Sequence, residues 1–166
     1  FETIFHAFQY AVENYPNTIA IRCGEDQASY LEYGEGVAAI AAFLTSQGIV
    51  KGERVAICAS SSISLPMLIF GVLSAGAQAT LINPNYTERE INPLLDISEP
   101  KLIFHDATSQ AAIENASEGR EIRLIDTAEP AENWQDKSVT SLPSALPRAE
   151  DGAIIMFTGG TTGVSK

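Results

Sequence analysis

Cysteine and histidine are scarce in this chain, two of each in 166 residues. Cys23 and Cys58 lie far apart with no histidines clustered beside them, so the sequence supports neither a disulfide framework nor a metal-ligand set. Each ends an apolar run, Ile19 to Cys23 and Val55 to Cys58, which predicts buried thiols in a reducing compartment. His6 falls in an amphipathic run and His105 at a strand end, and both read as structural or surface residues rather than ligands or bases. Basic residues are few as well: ten Lys and Arg stand against 21 Asp and Glu, and the net charge of -11 argues against a nucleic-acid surface. The same charge does not exclude a polyphosphate, because oriented amides, a lysine and a divalent cation act locally. No apolar run is long enough for a bilayer; the longest, Leu65 to Ala77, is interrupted by Gly71, Ser74 and Gly76 and reads as a buried helix. The chain begins at Phe1 with neither an initiator methionine nor a signal-type segment, so it is expected to be cytoplasmic and cut at both ends, with peripheral membrane contact of the intact protein left open.

What is present is an alternation. At 45% hydrophobic residues the chain can bury a core of about one domain. Phe1, Ile4, Phe5, Phe8 and Val12 recur at helical spacing, and Pro16 stops that run before a strand at Thr18 to Arg22. A turn at Gly24 to Gln27 leads to a short strand around Ala28 to Tyr30, then a helix over Tyr33 to Gln47 stopped by Gly48. Strands at Arg54 to Cys58, Ala77 to Ile82, Lys101 to His105 and Ile122 to Asp126 alternate with helices at Ser64 to Ser74, after Thr87, and at Ser109 to Ala116. Thr87 and Glu90 form a capping box, while Pro93 predicts a kink or early end of that helix. This order predicts an α/β fold: an open, mostly parallel sheet with helices on both faces and ligands beyond the carboxyl ends of its strands.

The expected organisation is an α/β subdomain over 1–126, an irregular connection over 127–150, and a strand with the start of a phosphate-binding loop over 151–166. Pro130, Pro143 and Pro147 punctuate the connection, with Trp134, Val139, Leu142 and Leu146 as packing anchors, and its length implies that either a short helix near Ala131 to Lys137 breaks it or part of it is mobile.

The final ten residues, Phe157 to Lys166, follow the apolar strand Ala153 to Phe157 with three glycines, three threonines and a lysine. Glycines let backbone N–H groups turn inward, threonines add hydroxyl donors and Lys166 adds a point charge, a set suited to polyphosphate. The run is not a Walker loop, because Val164 and Ser165 separate Gly163 from Lys166. Nor is it a dinucleotide fingerprint, since Thr158 stands where the first glycine belongs.

Thr158-Gly159-Gly160-Thr161-Thr162-Gly163-Val164-Ser165-Lys166 resembles the phosphate-loop signature of the AMP-forming acyl-CoA synthetases, a branch of the adenylate-forming enzymes. Asn83 to Glu90 and Gly48 to Ile57 resemble further segments of that family, in the same order, and Thr127 to Glu150 matches least. The resemblance implies that Thr158, Gly159, Gly160, Thr161, Thr162 and Gly163 wrap the β- and γ-phosphates of ATP, with Lys166 adding charge beside them. It also implies a two-step reaction, acyl-adenylate formation from a carboxylic acid and ATP with Mg²⁺, then acyl transfer to coenzyme A. Gly159 replaces a serine common in the family and Ser165 a proline, and the glycine variant tilts the acid toward a fatty acid. Aryl or amino acids remain the alternative within the superfamily, and a non-enzymatic nucleotide-binding module is the alternative outside it. Catalytic, adenine-, acyl- and CoA-binding residues are expected after Lys166, so residues 1–166 alone are expected to be inactive.

Overall fold

The computed structural model describes residues 1–129, 131–136, 138–143 and 147–157. The chain opens with α1 (Ile4–Asn14), β1 (Ile19–Cys23), β2 (Asp26–Ser29) and α2 (Tyr30–Ser46). Then follow β3 (Arg54–Cys58), α3 (Ser64–Ser74), β4 (Gln78–Leu81), α4 (Glu88–Ser98), β5 (Leu102–His105), α5 (Gln110–Ser117) and β6 (Arg123–Asp126). A 3-10 turn at Ala131–Asn133 and the strand β7 (Ile154–Met156) complete the described elements.

β1 and β2 pair antiparallel as a separate two-stranded sheet. Among the described residues the main sheet has five strands in the order β6-β5-β3-β4-β7, and every pair is parallel. Alternation along the strands divides the core: Val55, Ile57, Leu102 and Phe104 face α1, α2 and α3, whereas Ala56, Cys58 and Ile103 face α4 and α5. Strands covered on both sides need apolar residues at successive positions, and β3 and β5 supply them. The fold is therefore the open, mostly parallel sheet with helices on both faces that the alternation predicts.

On the first face, α2 and α3 approach closely because Gly71 lacks a β-carbon; one placed there would lie 2.5 Å from Ile40 Cγ2. An aromatic cluster locks α1 onto this pair, with ring centroids of Phe8 and Tyr33 4.5 Å apart and those of Phe8 and Phe70 4.8 Å apart. Trp134 is the anchor expected in the connection: it is 3% exposed, meets Phe104 edge-on and donates its indole N–H to the Glu129 carbonyl at 3.1 Å.

Arginines collect at the amino edge of the sheet, where α2, α4 and α5 end. Arg54 donates to the Ser98 carbonyl at 2.6 Å, Arg120 to the Ala116 carbonyl at 2.9 Å, and Arg123 to the Gln47 carbonyl at 3.5 Å. Guanidinium groups there satisfy orphan carbonyls and the negative ends of helix dipoles.

Several local expectations change. Helix α2 begins at Tyr30, three residues before the expected Tyr33, because Ser29 and Glu32 make a capping box: Glu32 accepts the Ser29 N–H at 2.8 Å. Helix α4 does not end at Pro93 but continues to Ser98, where Glu99 closes it in the left-handed region at φ 43°. The carbonyl that Pro93 leaves without a helical partner belongs to exposed Arg89, while Ile91, Leu94 and Leu95 hold the opposite side against the sheet. Cys58 is buried, but Cys23 is only half-buried at the end of the small hairpin. The short helix expected near Ala131 to Lys137 takes the form of a single 3-10 turn at Ala131–Asn133; Pro130, Lys137 and Leu146 lie outside the described residues.

Candidate functional site

The parallel strands all end at one edge, at Cys58, Leu81, His105, Asp126 and Met156. From β3 the chain turns into α3 on one face, and from the adjacent β4 it turns into α4 on the other. Loops that part in this way open a crevice beyond the strand ends, the position where open α/β sheets bind ligands. Strand β7 lies beside β4, with Leu81 paired to Met156, so Phe157 leads the chain out at this same edge.

The sequence-derived phosphate-binding residues Thr158, Gly159, Gly160, Thr161, Thr162, Gly163 and Lys166 lie outside the described residues. What the structure supplies is their point of departure. Phe157 and Tyr86 both pack against the core on the α4 and α5 side, which brings Asn83 to Glu90 and the strand leading into the Gly/Thr run to one side of the sheet.

Asp106, at the end of β5, organises the rest of the edge. Its carboxylate accepts N–H groups from Ser60 at 2.7 Å, Thr108 at 3.0 Å and Ser109 at 3.3 Å, joining the loop after β3 to the start of α5. Burial raises the cost of its charge, yet the bonds from Ser60, Ser109 and Thr108 together hold the carboxyl below its ordinary value. The Ser109 hydroxyl donates to the Cys58 carbonyl, and the Ser60 hydroxyl to Thr108 Oγ1 at 3.1 Å. Periodicity and motif spacing do not single out Asp106; the run Asp106-Ala107-Thr108-Ser109 ahead of a helix is the turn signature that marks it.

Cys58, His105 and Asp126 stand in register on β3, β5 and β6. They are not a catalytic triad. No hydrogen bond joins their side chains, His105 Nδ1 is buried without a partner, and burial pushes the Cys58 thiol up to about 11. Its hydrogen goes toward the Asn83 carbonyl at 3.8 Å. Among the described residues no group of three or more His, Cys, Asp or Glu side chains could hold a metal ion. No helix among the described residues is long and apolar enough to cross a membrane.

A family model described as AMP-binding enzyme matches residues 8–166. Tyrocidine synthase 3 of Brevibacillus parabrevis is 32% identical over 165 residues, which cover 99% of this chain and 2% of that protein. The medium/long-chain-fatty-acid--CoA/3-oxocholest-4-en-26-oate--CoA ligase of Mycolicibacterium smegmatis is 26% identical over 171 residues, covering 95% of this chain and 31% of the relative. The inhibitor-bound crystal structure of the N-terminal domain of FACL13 from Mycobacterium tuberculosis superposes with a TM-score of 0.88 at 25% identity, covering 100% of this chain and 43% of that one. The chain thus spans 31% or less of the length of these two curated relatives.

Proposed function

We propose, from the premise that this chain belongs to the AMP-binding enzyme family, that it is the phosphate-gripping portion of an ATP-dependent fatty-acid–CoA ligase. The single observation that carries the reading is the placement of β7 beside β4, which brings Phe157, the residue that precedes the Gly/Thr run in sequence, to the carboxyl edge of the sheet.

A carboxylate is a poor acyl donor because oxide is its leaving group. Attack of a carboxylate oxygen on the α-phosphorus of ATP breaks the bond to the bridging oxygen, releases pyrophosphate and leaves a mixed anhydride. A thiolate then attacks the acyl carbon, a carbon–sulfur bond forms and AMP departs. In the first step charge grows on the departing phosphates. Amide and hydroxyl donors of Thr158, Gly159, Gly160, Thr161, Thr162 and Gly163, with the Lys166 ammonium, would stabilise that charge. Mg²⁺ would enter with the nucleotide, held by its phosphates, and coenzyme A would supply the thiol.

The fatty-acid assignment is supported by the named activity of the Mycolicibacterium relative, and a second acid class is favoured by the 32% identity to tyrocidine synthase 3. Both readings share the adenylation step and differ in the acid. The test is acid-dependent ATP–pyrophosphate exchange by the intact parent protein over fatty, aryl and amino acids. Exchange is expected with a fatty acid, and Thr161→Ala and Lys166→Ala are each expected to lower it about 100-fold with the fold retained. Exchange with amino acids alone would replace the fatty-acid reading. Absence of exchange with every acid, together with no ATP binding, would overturn the adenylation reading itself.

A further inference from the structure

We propose that Lys51 and Asp151 form a clasp that sets the register of β7 and thereby positions the Gly/Thr run, so that both act as positioning residues for the nucleotide; this rests on reading that run as phosphate-binding.

Strand β7 needs such a device. It is three residues long and pairs, among the described residues, with β4 alone. Ile154 is 45% and Met156 70% exposed, and Ile155 between them is only half-buried. A strand with so little buried pattern has weakly specified register, and a slip of one residue would reverse its faces and shift Phe157 about 3.3 Å along the strand axis relative to the edge. Displacement on that scale exceeds what a phosphate grip tolerates.

The ties that oppose a slip lie at the amino end of β7. Asp151 Oδ1 meets Lys51 Nζ at 2.8 Å, and Oδ2 accepts the Arg148 N–H at 2.9 Å. The Asp151 N–H returns to the Arg148 carbonyl at 3.0 Å, so one carboxylate both closes the turn before β7 and grips the loop before β3. That loop is itself held to the entry of β4, because the Gly52 N–H donates to the Gly76 carbonyl at 2.9 Å. Gly152 lies flat against the first residue of β4, where a β-carbon would collide with the Gln78 side chain. The first ladder bond follows, from the Ala79 N–H to the Ala153 carbonyl at 2.9 Å. Within the ion pair the Asp151 side chain is 19% exposed and that of Lys51 61%, so the carboxylate is the sheltered partner and the lysine can be changed with little effect on packing.

The experiment compares Lys51→Met, Asp151→Ala, the double variant and the rescue Lys51→Arg in the intact parent protein. Two quantities are measured: amide hydrogen exchange in the peptide covering residues 153–157, and KM for ATP against kcat and KM for the acid. Faster exchange in all three disrupted variants is expected, with KM for ATP about tenfold higher, kcat and acid KM little changed, the double variant no worse than Asp151→Ala, and Lys51→Arg near wild type. Exchange unchanged in Lys51→Met and Asp151→Ala would overturn the clasp. Faster exchange with KM for ATP unchanged would overturn its link to the nucleotide. A parent protein that does not use ATP at all would instead overturn the functional reading, and the exchange data alone would then decide whether the clasp holds β7.

Discussion

Asp106 accepts the backbone N–H of Ser60 at 2.7 Å, and that bond ties the end of β5 to the loop leaving β3 at the edge where the crevice opens. Asp106→Ala leaves the Ser60, Thr108 and Ser109 N–H groups without this acceptor, and is expected to cost about 1–3 kcal/mol in urea unfolding at pH 7. The pH dependence has a definite sign. Because the folded carboxyl lies below its ordinary value, its contribution is fully present above the unfolded aspartate pKa of about 3.9 and is lost as pH falls through the depressed folded value. The stability gap between wild type and Asp106→Asn should therefore shrink in that acid window and stay flat from pH 5 to 7. A gap that persists unchanged well below the window would show that the charge plays no part.

Gly71 and Gly36 separate an intolerant close approach from a tolerant one. A β-carbon at Gly71 would lie 2.5 Å from Ile40 Cγ2 in the α2–α3 seam, whereas one at Gly36 would meet Met67 Sδ at 2.7 Å. Ile40 is fully buried and branched, while the methionine side chain can swing aside. Gly71→Ala is expected to destabilise by about 1–3 kcal/mol despite the better helix propensity of alanine, and Gly36→Ala to be near neutral or stabilising. Equal midpoints for the two variants in thermal unfolding would contradict this account of the seam.

Pro93 sits on the solvent side of α4 and the helix passes through it. Pro93→Ala should restore the hydrogen bond to the Arg89 carbonyl and raise stability by about 1–2 kcal/mol, less than the full helix-propensity difference because proline also restrains the unfolded chain. Denaturant unfolding of that single variant checks it, and a loss of stability would indicate that proline fits a bend the alanine helix cannot adopt.

The two thiols should differ in reactivity. Burial pushes the Cys58 thiol up to about 11 and removes it from solvent, while Cys23 is half-buried and its Sγ only weakly engaged, 3.7 Å from the Ser61 carbonyl. Iodoacetamide at pH 8 should modify Cys23 first and reach Cys58 only on unfolding, as peptide mass analysis of a labelling time course would show.

Much of this architecture was legible in the residues because it rests on short-range patterns. The continuous apolar runs at Arg54–Cys58 and the helix at Ser64–Ser74 have the bounds expected from sequence, since burial on both faces and an early proline are local signals. Trp134 as an anchor followed from the scarcity of other apolar residues around it. The early start of α2 is also written in the chain, in the capping box of Ser29 and Glu32, whereas helical periodicity alone places the start at Tyr33.

By itself the sequence determined the alternation of strands and helices and the class of sheet they form, because hydrophobic period is a property of neighbouring residues. Tertiary structure alone decided that β7 lies beside β4, that Asp106 gathers three amides from two loops, and that Asp151 reaches Lys51 a hundred positions earlier. Those relations depend on which strand settles against which. Strand order is selected by the packing of two core faces at once, a constraint that no window of local sequence contains.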